Sequence, residues 1–157
     1  MIPEFGPGGL LPPGLHGTSL AEVRVRFGGG SERRVGLFLL LTQVVEAAAF
    51  YPTIKRVLVW GSFVTAKAEP NDLDYSLVVS VEHDHRHIAP EHRRFLVPFE
   101  ARQFYGVDKR YLVIQDFPLA EYAELMDFLT NTRRQGPCGV VEINLRGEFT
   151  EVQDDRE

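Results

Sequence analysis

The stretch from Trp60 to Tyr75, WGSFVTAKAEPNDLDY, holds the residue types and spacing best suited to chemistry. Asp72 and Asp74 stand two apart at the head of a strongly apolar run. Residues two apart on a strand point to the same face. The two carboxylates therefore lie side by side, with Leu73 and Tyr75 on the opposite face. Adjacent carboxylates repel unless a cation lies between them. A hard divalent cation with oxygen ligands, such as Mg²⁺, is the natural partner. Upstream, Gly61 lets the backbone approach a ligand closely. Ser62 brings a hydroxyl and a backbone N–H to the head of an expected helical turn, a setting that favours phosphate. Phosphate donors on one side and a metal-binding carboxylate pair on the other suit phosphoryl or nucleotidyl transfer.

Plainer readings stand beside this one. Asp72 and Asp74 also suit an ordinary turn after Pro70 and Asn71. Lys67 could reach a triphosphate or be a solvated loop lysine, and Arg33 and Arg34 open a helix as surface charge. His83, His85 and His87 alternate in HDHRH, and on a strand they would share a face fit for zinc. With Asp84 and Arg86 between them, a solvated loop is the expectation. Gly28 to Gly30 follow no apolar strand and precede no Gly-Lys-Ser/Thr, so they read as a linker and not a phosphate loop. Cys138 reads as a small buried hydrophobe and Trp60 as core.

The elements that must position these residues follow from periodicity and punctuation. Residues 1–17 carry four prolines among five glycines, and form an arm that holds neither a helix nor a central strand. It is either a flexible tail or an extended segment laid over the domain. Thr18 caps a short helix to Arg26. Ser31 caps a second helix to about Phe50, with Leu37, Leu40, Leu41, Val44, Val45 and Ala48 at helical spacing. Strands are expected over 56–60, 72–80, 110–115 and 140–145, and helices over 90–104 and 119–131, the former kinked at Pro98. Residues 146–157 read as a charged tail. This order predicts an α/β (α+β) fold: one domain over 18–145, with a small mixed sheet and helices mainly on one face.

Composition bounds the function. The chain has 157 residues, 44% apolar and 25% charged, ordinary for one globular domain. Its 17 Lys+Arg against 22 Asp+Glu leave a net charge of -5, which argues against holding long nucleic acid by phosphate neutralisation. With one cysteine no intramolecular disulfide forms, and a reducing cytoplasm is the simplest compartment. No basic region followed by an apolar core opens the chain, so no secretory signal is expected. The apolar run 35–41 is too short to span a membrane.

A strand, Gly-Ser, a short gap and Asp-apolar-Asp opening a second strand resemble the nucleotidyltransferase superfamily, the fold of the DNA polymerase beta palm. LPPGLH, ERRVGL, GSFVTAKAEPNDLDYSLVV, YGVD and GVVEINL further resemble a family of uncharacterised small bacterial proteins in that superfamily. The resemblance implies a nucleoside triphosphate bound with Mg²⁺ at a two-metal site. Its nucleotide passes to an acceptor and pyrophosphate is released. Gly61 and Ser62 would hold the β- and γ-phosphates, and Asp72 and Asp74 would ligate the metals. A third carboxylate, which helps activate the attacking hydroxyl, is expected at Asp108, with Asp116 and Glu142 as competitors. Lys109 and Arg110 stand where the family pattern would have apolar residues.

The expected activity is thus Mg²⁺-dependent nucleotidyl transfer to a small molecule or a protein side chain. The alternative is a weakly active or inactive binding module of the same fold, such as a toxin–antitoxin partner. In it, the N-terminal arm and acidic tail contact another protein.

Overall fold

A computed structural model describes residues 1–97, 100–101 and 138–146 of the chain, and residues 111–115 by their backbone. The described strands are Gly14–Thr18 (β1), Ile54–Trp60 (β2), Asp74–Val79 (β3), Tyr111–Gln115 (β4) and Gly139–Asn144 (β5). The described helices are Leu20–Phe27 (α1), Glu32–Ala49 (α2) and Arg93–Leu96 (α3).

Local chemistry accounts for most boundaries. Ser31 caps α2, its Oγ accepting from Arg34 N at 3.1 Å. The α1 cap is Ser19, whose Oγ accepts from Glu22 N at 3.2 Å. Thr18, the expected cap, is the last residue of β1, and its hydroxyl donates to Glu22 Oε1 at 2.5 Å. Both residues are good caps in isolation, so only the strand before them decides between the two. The helix expected over 90–104 opens as a 3₁₀ turn, Pro90–His92, followed by one α turn, Arg93–Leu96. The helix expected over 119–131 lies outside the described residues.

The strands form one mixed sheet in the order β1-β5-β2-β3-β4. β2 runs antiparallel to both β5 and β3, while β1 is parallel to β5 and β4 is parallel to β3. The arm therefore ends in an edge strand, the place in a sheet that tolerates neighbouring prolines. Gly139 makes room for it: a Cβ there would lie 2.5 Å from Pro12 O and 2.8 Å from the His16 ring. Ile2 and Leu11, further back in the arm, are buried in the main core.

The two faces of the sheet differ. On one, Val57, Val59, Tyr75, Leu77, Val141 and Ile143 pack with the buried residues of α1, α2 and α3 in the main core. On the other, Leu58, Trp60, Val78 and Val140 form a smaller buried cluster with Leu15 against it. The described helices thus lie on one face of a mixed sheet in a single small α+β domain. Among the described residues, no helix is long and apolar enough to cross a membrane.

Candidate active site

Because β2 and β3 are antiparallel, the end of one strand and the start of the other fall at the same end of the sheet. Trp60, the last residue of β2, pairs directly with Asp74, the first of β3. Gly61–Ser62 and Asp72–Asp74 are therefore brought together by this pair of strands, across a loop from residue 61 to 73. Tyr75, Leu77 and Val79 enter the helix-side core, and so does Leu73, so the alternation begins ahead of the strand. Asp74 shares the other face with Trp60 and Ser76, where the indole Nε1 donates to Ser76 Oγ at 3.1 Å. Asp74 is 7% exposed, and Asp72, just outside the strand, is half-buried. Trp60 is buried core, as expected.

The loop after β2 is built tightly. Gly61 has φ 85 and ψ -164, a conformation a side chain would strain. Residues Ser62–Val64 make a single 3₁₀ turn, too short to carry a helix dipole of consequence. Any attraction for phosphate therefore rests on side chains. Ser62 Oγ has no hydrogen-bond partner among the described residues, and Lys67 is exposed. Thr65 Oγ1 donates to Ser62 O at 2.7 Å and accepts from Lys67 N at 3.2 Å, locking the turn.

Arg34 holds this loop in place, which corrects its reading as surface charge. It is 6% exposed. Its guanidinium donates to Phe63 O at 2.8 Å, Thr65 O at 2.7 Å and Lys67 O at 2.5 Å, and to Phe27 O at 3.2 Å. It also lies 5.7 Å from the Phe63 ring centroid. Phe27 ends α1, so the cation sits at a helix C-terminus, where the backbone dipole favours it. Burial pulls its pKa below the ordinary arginine value. A helical signal was present: Arg34 shares a stripe with Phe38, Leu41, Val45 and Ala48, whereas Arg33 is half exposed and pairs with Glu69 at 3.5 Å.

Of the three candidates for a further carboxylate, Glu142 is described, while Asp108 and Asp116 lie outside the described residues. Glu142 pairs with Leu58 across β5 and β2, and its carboxylate meets Arg56 at 3.3 Å. Strand spacing puts its Cα on the order of 12 Å from that of Asp74. In sequence Asp116 follows Gln115, which pairs with Val79. Gln115 therefore stands at the far end of β3 from Asp74. Asp108 precedes Tyr111 by three residues, and Tyr111 pairs with Tyr75, next to Asp74.

The donor chemistry of Asp72 and Asp74 fits Mg²⁺, which is held by one or two carboxylates together with substrate phosphates. The histidines do not make a comparable set. Residues His85–His87 form a 3₁₀ turn, in which positions two apart do not share a face. Among the described residues, no three His, Cys, Asp or Glu side chains are grouped to hold a metal ion.

His83 carries a different consequence. Its Nδ1 lies 2.9 Å from Thr53 Oγ1, and its buried Nε2 has no hydrogen-bond partner among the described residues. Burial, reinforced by His85, holds its pKa below the usual 6.5, with Asp84 opposing. Below pH 6.5 the unfolded chain takes up a proton that the folded chain resists, so stability falls as pH drops toward the folded value. We expect the urea midpoint to fall between pH 7.5 and 5.5, and to fall less in His83→Asn. Equal losses in the two proteins would refute this assignment.

A family model described as a family of unknown function (DUF6932) matches residues 3–144. No curated protein and no solved structure matches the chain.

Proposed function

The chain belongs to that family of unknown function, DUF6932, and from its site we propose an Mg²⁺-dependent nucleotidyltransferase of the DNA polymerase beta-like superfamily. The observation that carries the reading is the Trp60–Asp74 pairing, which joins Gly61–Ser62 and Asp72–Asp74 at one end of the sheet. Ser62 and Lys67 would bind the β- and γ-phosphates, and the positive φ of Gly61 sets the turn that presents them. Asp72 and Asp74 would hold Mg²⁺. When bound, Mg²⁺ neutralises phosphate charge and polarises the α-phosphate. The acceptor hydroxyl oxygen attacks the α-phosphorus, the bond from that phosphorus to the bridging oxygen breaks, and pyrophosphate leaves. The hydroxyl proton passes to a carboxylate. Asp108 is assigned that role: in sequence it stands three residues before Tyr111, which pairs beside Asp74, whereas the Glu142 carboxylate meets Arg56.

The net charge of -5 favours a small molecule or a protein side chain over a long nucleic acid as acceptor. The single cysteine suits the cytoplasm. The binding-module alternative differs in its dependence on metal. Calorimetric titration with ATP, GTP, CTP and UTP, with and without Mg²⁺, tests the reading. Binding of at least one triphosphate that requires Mg²⁺ is expected. Binding of none in either condition would leave the binding module as the better description.

A further inference from the structure

Residues 7–10 of the N-terminal arm fold against the loop that follows β2. Pro7–Gly9 form one 3₁₀ turn, with Gly8 and Gly9 at φ 80 and 73. Ala66 N donates to Gly9 O at 2.8 Å. A Cβ on Gly9 would lie 2.8 Å from Ala66 Cβ, so this approach is open only to glycine. Between arm and loop lies an open cavity of about 590 Å³, lined by residues 7–10 on one side and by Ser62, Thr65, Ala66 and Lys67 on the other. That volume is in the range of small-ligand sites.

The lining has a definite sign. Among the described residues, Lys67 is the one charged residue of the lining, which holds no carboxylate. Lys67 makes no ion pair, and Ser62 Oγ no hydrogen bond, among the described residues. An ammonium, a hydroxyl and glycine backbone around one cavity suit a ligand with several anionic oxygens and little bulk. We propose that the arm segment Pro7–Leu10 is the second wall of a polyphosphate subsite, whose first wall is Ser62–Lys67. The arm is then part of the binding site, held there by the Gly9–Ala66 contact. The inference rests on the nucleotidyltransferase reading only for its link to Asp72 and Asp74.

Inorganic tripolyphosphate is the probe, titrated calorimetrically into the full chain in the presence of EDTA. Wild type is expected to bind. Lys67→Gln is expected to weaken binding about tenfold or more, the worth of one charge-assisted hydrogen bond. Gly9→Val, which pushes the arm off the loop, and Ala66→Leu, which does so from the other side, are expected to weaken it at least fivefold. Melting temperatures of both variants show whether each still folds, and the pair guards against failure of either one. Lys55→Gln removes a lysine outside this cavity and is expected to leave the affinity unchanged. The proposal is overturned if wild type does not bind, if Lys55→Gln weakens binding as much as Lys67→Gln, or if the two arm-displacing variants bind like wild type.

The two readings fail separately. Asp72→Asn/Asp74→Asn is expected to keep its tripolyphosphate affinity in EDTA. Mg²⁺-dependent nucleotide binding that is unmoved by the Lys67 and Gly9 variants would retain the enzyme reading and overturn the subsite. Tripolyphosphate binding with the expected variant pattern, but no Mg²⁺-dependent nucleotide binding, would retain the subsite and overturn the enzyme reading.

Discussion

The double variant Asp72→Asn/Asp74→Asn is expected to abolish Mg²⁺-dependent nucleotide binding and to lower nucleotidyl transfer by roughly a thousandfold or more. The magnitude follows from what a bound metal supplies. Its stabilisation of developing charge is several kcal/mol, and about 4 kcal/mol corresponds to roughly a thousandfold in rate. Asparagine keeps the size and one oxygen of aspartate but loses the charge that holds a hard cation. Melting curves separate this loss from a loss of fold. A nucleotide present at about 100 times its Kd stabilises the folded state by about 2.7 kcal/mol, a shift of a few degrees. Wild type is expected to show that shift only when Mg²⁺ is present, and the double variant in neither condition. An Mg²⁺-dependent shift of equal size in the variant would remove the two aspartates from the site. The metal would then be held elsewhere.

The second large effect concerns stability. Arg34→Ala is expected to cost about 3–5 kcal/mol, because a buried charged group is removed and the carbonyls it served stay behind. The guanidinium donates to carbonyls of Phe27, Phe63, Thr65 and Lys67, so its loss releases the loop between β2 and β3 from α1 and α2 together. Measured against the 5–15 kcal/mol typical of a domain, that is a large fraction. Arg34→Lys is expected to recover little, since an ammonium cannot span four carbonyls with a planar fork. Arg33→Ala is the control. That side chain is half exposed, and its pair with Glu69 lies at the surface, so a change within about 0.5 kcal/mol is expected. Urea unfolding of the three variants checks the ordering. A cost for Arg34→Ala no larger than that for Arg33→Ala would refute the clamp.

These two predictions draw on different levels of the molecule. The aspartate pair was legible in the chain itself. An apolar run ending in Gly61–Ser62 and another beginning at Asp72–Asp74 mark two strands joined by a loop, and local rules suffice to align their ends. The helix α2, with its Ser31 cap and its apolar stripe, was legible for the same reason, as was a mixed sheet with helices on one face. Caps and periodicity act over about four residues, and a single sequence displays them directly.

The tertiary structure decided the rest, where the partners are far apart in the chain. Residues 14–18 carry no strand signal of their own, and form β1 only because β5, more than a hundred residues later, offers an edge and Gly139 leaves space for the arm. The apolar stripe of α2 marks Arg34 as inward-facing, but its partners, carbonyls about thirty residues downstream, are met only in the assembled fold. Glu142, one of three acidic candidates equivalent as letters, is set against Leu58 and Arg56 by the register of β2 with β5. The Gly9–Ala66 approach turns a proline- and glycine-rich arm into one wall of a cavity. Local sequence determines which face a side chain takes on its own element. Which charges and surfaces then meet across the sheet is set by long-range pairing, because burial and hydrogen bonding are satisfied only once the elements are assembled.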